Sequence, residues 1–177
     1  MSQFPGGYEH FNPVKSASSG SPTHGATGKE GAAAESLRLI AFTLGNEWYA
    51  LEASEVRGIE PEATITPVPR SPEWLVGVFN LHGNILPAID PRPILGVPRV
   101  DSQGTGLMII FLWEGNLAAL RVDAVDEIYE LPNATLEPPL PTIEGSRMDM
   151  ILGQVRVRDR LIGVIHLSNL VRHVFEG

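Results

Sequence analysis

The sequence predicts an all-β fold, and three observations lead there. Short apolar runs recur along the chain, Leu107-Met-Ile-Ile-Phe-Leu-Trp113 being the strongest. Turn-forming groups separate them, at Gly45-Asn46, His82-Gly83-Asn84 and Glu114-Gly115-Asn116. Helical signals are confined to brief pieces. Many short strands joined by tight turns read as a barrel or sandwich. A barrel removes exposed strand edges, which matters for a chain with this much strand.

The elements follow in order. Residues 1–36 are rich in Gly, Ser, Ala and Pro without sustained periodicity, and are expected to be a disordered tail. Removing them should leave thermal stability almost unchanged. The folded part is expected over residues 37–177. It opens with Leu37, Leu39, Ala41 and Thr43 alternating with Arg38, Ile40, Phe42 and Leu44. Both registers are largely apolar, which predicts a strand buried on both faces. Gly45-Asn46 turns the chain, and Trp48-Tyr49-Ala50-Leu51 returns as its partner. Residues 52–56 read as a helical turn or a strand entry, after which Ile59, Ile65 and Val68 lead to a proline run.

Residues 67–95 carry the most information. Pro67, Pro69 and Pro72 hold the chain extended or in turns. An apolar run, 74–81, reaches Leu81-His82-Gly83-Asn84, a tight turn in which Gly supplies positive φ. Residues 85–89 return, and a helical turn at Ile94-Leu95 stops at Gly96 and Pro98. Residues 98–106 read as a loop, 107–113 and 117–125 as a hairpin that continues to Leu131, and 132–141 as a proline-rich connection. Residues 150–157 and 161–167 form another hairpin, and Ser168 is expected to cap a helix over 169–175.

Composition narrows the function. The chain has 177 residues, 43% of them apolar, enough for a real core. No apolar run is long enough for a membrane-spanning helix, and the N-terminus lacks the pattern of a signal peptide. There is no cysteine, which excludes disulfides and thiolate zinc sites. A formal charge of -8 argues against tracking nucleic acid. Both lysines, Lys15 and Lys29, lie in the tail, and every later cation is arginine. Arginine suits protein interfaces, although genomic base composition explains the bias as simply.

Catalysis finds little footing. His82, His166 and His173 have no histidine partner at metal-binding spacing. Asp90, Asp123 and Asp126 have no acid or base partner visible in sequence. There is no nucleophile elbow and no phosphate loop. No catalytic residue, metal or cofactor is assigned.

The segment Val76-Gly77-Val78-Phe79-Asn80-Leu81-His82-Gly83, followed by Leu86-Pro87-Ala88-Ile89-Asp90, resembles the signature of the CheW-like family, adaptors of bacterial chemosensory arrays. The order Phe-Thr-Leu-Gly, a polar pair, Tyr-Ala-Leu after residue 41 resembles the start of that domain. The resemblance covers roughly residues 37–175 and is most specific over 37–96. It implies two small five-stranded SH3-like barrels packed together. It also implies a cytoplasmic, non-catalytic adaptor, recruited to membrane-associated receptor arrays without inserting into the membrane. Its partners would be the regulatory domain of a CheA-type histidine kinase and the cytoplasmic tip of a methyl-accepting chemoreceptor.

Carried over position by position, the interaction residues are Val56, Gly58, Gly77, Asn80, His82 and Gly83. Val56, Gly77 and Gly83 have a plain structural reading as core or backbone-geometry residues. His82 stands where the family has Arg, and Gly58 where many members have Glu. Both halves of a possible ion pair are absent together, which avoids leaving one buried charge alone. This implies a rewired interface. The segment from Leu136 to Ile143 lies where members make lateral contacts, and it also reads as a stiff loop. Two other readings stand beside the adaptor: a modulator that binds receptor without kinase coupling, and a small ligand-binding barrel. Saturable binding of a small molecule without a protein partner would single out the last.

Overall fold

The computed structural model describes residues 36–99, 106–139 and 146–176. The expected tail, apart from Ser36, lies outside the described residues, as do parts of the loops expected over 98–106 and 132–141. Among the described residues, ten strands, three α-helices and one 3-10 turn (Asn133–Thr135, after β8) are found, in the order β1 (Ser36–Leu44), β2 (Glu47–Glu52), β3 (Val56–Pro61), β4 (Leu75–Leu81), β5 (Asn84–Ile89), α1 (Arg92–Leu95), β6 (Leu107–Trp113), β7 (Asn116–Val122), β8 (Ala124–Pro132), α2 (Ser146–Asp149), β9 (Ile151–Val157), β10 (Arg160–Ile165) and α3 (Leu167–Glu176).

The strands form two five-stranded sheets, ordered β8-β1-β2-β10-β9 and β3-β6-β7-β5-β4. Each sheet is drawn closed by one bridge beyond its edge strands. Glu137, past the end of β8, pairs with Gln154 in β9. Thr66, past the end of β3, pairs with Val78 in β4. The architecture is thus the expected pair of small barrels.

The barrels repeat one plan. Each has a lone strand, a hairpin, a short helix and a second hairpin, with one parallel contact between the hairpins: β5 with β7, and β10 with β2. In the second barrel the last hairpin is β1–β2, supplied by the beginning of the chain. Barrel membership therefore interleaves along the sequence. The run expected over 117–131 is also split. It changes barrel at Asp123, between β7 and β8.

The split roles of β1 explain its two apolar registers. Leu37, Leu39 and Ala41 point into their own barrel, with Ala50, Val155, Ile162 and Val164. Ile40, Phe42 and Leu44 join the largest cluster, which fills the seam between the barrels. The same alternation holds in β6. Met108 and Ile110 sit inside the other barrel, while Ile109 and Phe111 face the seam. Each fully buried Phe, Leu or Ile contributes roughly 1.5–3 kcal/mol by leaving water. The seam is thus a core shared by both barrels.

Helix α3 lies across that seam, burying Leu167, Leu170, Val171 and Val174. Ser168 does not cap it. The helix begins two residues before the expected start, and His166 takes the capping position, its Nδ1 accepting the Asn169 N–H at 3.4 Å. An imidazole acceptor in this role is absent from the usual set of capping residues, which is why Ser168 drew the prediction.

Candidate interaction surface

Strand order brings part of the nominated segment to one end of the β3–β7 barrel. Because β5 and β7 are parallel, with Ala88 opposite Ala119, the β4–β5 and β6–β7 turns lie at the same end. Strand β3 starts at that end too, since Val56 pairs with Phe111 near the close of β6.

The β4–β5 turn has two central residues, His82 and Gly83, with φ of 50° and 91°. Positive φ at both gives a type I′ turn, whose twist matches antiparallel strands. Asn80 braces it, its Oδ1 accepting the Gly83 N–H at 2.8 Å. His82 is exposed on this turn, and Asn80 is exposed beside it.

The other nominated residues play different parts. Val56 is fully buried in the seam cluster, so its side chain acts through packing. Gly58 is half-buried on β3, and a Cβ there would meet nothing within 4 Å. Gly77 lies toward the opposite end of β4, with φ of 153°. A Cβ at Gly77 would fall 2.3 Å from the Thr66 carbonyl oxygen. Only glycine allows the Thr66–Val78 bridge to close the barrel. Val56 and Gly77 shape the scaffold, while Asn80, His82 and Gly83 present a surface.

Two grooves escaped sequence reasoning. One, of about 630 Å³, borders the same barrel end and is lined by Ile85, Pro87, Trp113, Leu117 and Phe175 among others. Ile85 is 66% exposed there. Phe175, from α3, also meets Trp74 edge-on at 6.2 Å between ring centroids. The second, of about 440 Å³, occupies the equivalent place on the other barrel, lined by Trp48, Tyr49, Leu95, Arg147, Ile151 and Leu161 among others. In each groove a helix from the companion hairpin set supplies one wall residue, Phe175 or Leu95. The Tyr49 hydroxyl donates to Glu47 at 2.6 Å. Burial, then this carboxylate, pushes the Tyr49 pKa up. Arg160 stacks 4.0 Å from the centre of the Trp48 ring and pairs with Asp126 at 2.6 Å.

The three carboxylates weighed as catalytic candidates are all engaged. Asp126 holds Arg160 and accepts the Tyr129 hydroxyl at 3.0 Å. Asp90 and Asp123 flank Arg92. Burial alone would lower the Arg92 pKa. The hydrogen bond from Arg92 to Asp123 and the charge of Asp90 outweigh it and hold the pKa above the ordinary arginine value. Among the described residues no group of three His, Asp or Glu side chains is placed to hold a metal ion. No helix among them is long and apolar enough to cross a membrane. Asp123 is 31 residues from Arg92 and nothing local marks it as a partner.

The comparison with known proteins matches this geometry. The family model described as the CheW-like domain matches residues 38–175. The chain belongs to the CheW-like domain family. Its relatives include the chemotaxis protein CheW of Rhizobium meliloti, 26% identical over 132 residues, covering 75% of this chain and 85% of the relative. The chemotaxis protein CheW of Helicobacter pylori is 25% identical over 141 residues, covering 80% and 85%. Among solved structures, the scaffolding protein TtCheW from Thermoanaerobacter tengcongensis superposes with a TM-score of 0.70 at 29% identity, covering 81% of this chain and 93% of that one.

Proposed function

We propose that this protein is a non-catalytic adaptor of a chemosensory array, coupling the cytoplasmic tip of a chemoreceptor to the regulatory domain of a CheA-type histidine kinase. The reading rests on the CheW-like domain spanning residues 38–175. The structure adds a means. Two barrels with a shared core present separate surfaces in fixed relation, so two partners can be held in one geometry. Adaptors work through apolar and backbone surfaces, which matches an exposed turn beside an apolar groove. Receptor state then biases kinase activity through the arrangement of the complex, a coupling free energy between two sites. The adaptor acts in the cytoplasm and joins membrane-associated arrays through the receptor.

Val56, Gly58, Gly77, Asn80, His82 and Gly83 divide within this proposal. Asn80, His82 and Gly83 make the contact, Gly58 leaves room for it, and Val56 and Gly77 keep its shape. Calorimetric titration against the kinase regulatory domain, and separately against a receptor-tip fragment, tests the reading. Binding to both at micromolar or tighter is expected. Binding to the receptor alone would make the protein a modulator, and binding to neither would remove the adaptor reading. His82→Arg should change affinity for one partner. Equal affinities in the two forms would show that the altered turn sets no specificity.

A further inference from the structure

The charged cluster around Arg92 has no part in the surfaces described above. Arg92 is 5% exposed and Asp90 1% exposed. Arg92 donates to Asp90 Oδ1 at 3.0 Å through its guanidinium and, through its backbone N–H, at 3.0 Å again. Its other guanidinium nitrogen donates to Asp123. Asp123 Oδ2 accepts the Gly45 N–H at 2.6 Å, and the Asp123 N–H donates to the Thr43 carbonyl at 3.0 Å.

These contacts cross between barrels. Asp90 and Arg92 belong to the end of β5 and to α1. Gly45 and Thr43 belong to the β1–β2 hairpin of the other barrel. Asp123 is the residue at which the chain passes from one barrel to the other. Ile89, Leu95 and Val97, close to Asp90 and Arg92 in the chain, belong to the shared core. Apolar packing of this kind is attractive but non-directional. A guanidinium held by two carboxylates has fixed directions and little tolerance for displacement.

The equivalent place at the start of α3 is built differently. His166 accepts the Asn169 N–H there, while Asp90 accepts that of Arg92 at the start of α1. The residue two positions after His166 is Ser168, so this side lacks the arginine that Arg92 supplies on the other.

We propose that Arg92 is a positioning residue, a pin that fixes the angle between the two barrels. The Asp90–Arg92–Asp123–Gly45 chain locks the α1 side of the seam, while the α3 side is held by apolar packing. Resting on the adaptor reading, the pin transmits receptor state to the kinase without touching either partner.

The absence of cysteine allows a direct test on the full-length protein. Leu112→Cys in β6 and Arg156→Cys in β9 place one spin label on each barrel at exposed strand positions. Pulsed electron–electron resonance then reads the inter-barrel distance distribution without any partner. Arg92→Met and Asp123→Asn are each expected to broaden or shift that distribution while unfolding stays cooperative. Asp123→Asn keeps the size of the side chain but leaves one acceptor oxygen where Asp123 uses two, for Arg92 and for the Gly45 N–H, so it decides the matter if Arg92→Met does not fold. A distribution as narrow and as centred as in the parent protein would overturn the proposal.

In unlabelled protein, Asp123→Asn should bind kinase domain and receptor fragment separately with affinities close to the parent's. Receptor-dependent kinase control should fall about tenfold, within the range of ordinary coupling energies. Undiminished control would also overturn the transmitting role. If the parent protein binds neither partner, the adaptor reading fails, and the distance measurement still judges the pin.

Discussion

Replacing Gly77 by alanine tests how the β3–β7 barrel is closed. The backbone at Gly77 has φ of 153°, which L residues rarely adopt. Holding a non-glycine residue in such a region costs about 1–3 kcal/mol. The added Cβ would also stand 2.3 Å from the Thr66 oxygen and 2.7 Å from Ile65 Cγ2. Backbone cannot yield as a flexible side-chain tip does, so the Thr66 segment must move. That movement breaks the paired bonds Thr66 N–H to Val78 O at 2.7 Å and Val78 N–H to Thr66 O at 2.9 Å. Each is worth about 1 kcal/mol net. The sum is roughly 3–5 kcal/mol, or a fall in Tm of about 10–17 °C for a domain of this size. Gly58→Ala is the control, since nothing lies within 4 Å of its Cβ position. It should stay within about 0.5 kcal/mol of the parent. Urea unfolding followed by tryptophan fluorescence reads both. A loss below about 1 kcal/mol for Gly77→Ala, or equal losses for the two variants, would refute this account of the barrel's closure.

Three further outcomes are expected. Burial, reinforced by Glu52, raises the Glu55 pKa to about 7, so between its ordinary value and 7 the folded protein holds a proton that the unfolded chain has released. Stability should therefore fall as pH rises through that window, and Glu55→Gln should flatten the fall when Tm is compared at pH 5 and pH 8. His82→Asn places a residue tolerant of positive φ in the type I′ turn and should raise stability by about 0.5 kcal/mol in chemical denaturation. Phe111→Ala removes a fully buried ring from the shared core and should cost about 3–5 kcal/mol, with both barrels unfolding in one transition.

The fold was legible wherever local pattern carries it. The doubly apolar β1, the Gly45-Asn46 turn and the His82-Gly83 turn all follow from residue type and period. Barrel membership was not legible, because it depends on pairings such as Gly163 with Tyr49, which lie far apart in sequence. Asp123 illustrates the same limit. It interrupts an apolar run as one polar residue, and only the tertiary fold shows that the chain changes barrel there and that Arg92 and Gly45 meet it. At the surface, the signature segment led to Asn80, His82 and Gly83 because turn chemistry is local. Ile85, Trp113 and Phe175 went unnoticed because three separate elements bring them together.

An adaptor that links receptor to kinase makes kinase activity depend on receptor. The most direct measurement is the autophosphorylation rate of its CheA-type kinase with receptor-tip assemblies, in the presence and absence of this protein. The rate is expected to respond to receptor only when the protein is present. A rate that is the same with and without it, at concentrations that saturate binding, would contradict the claim.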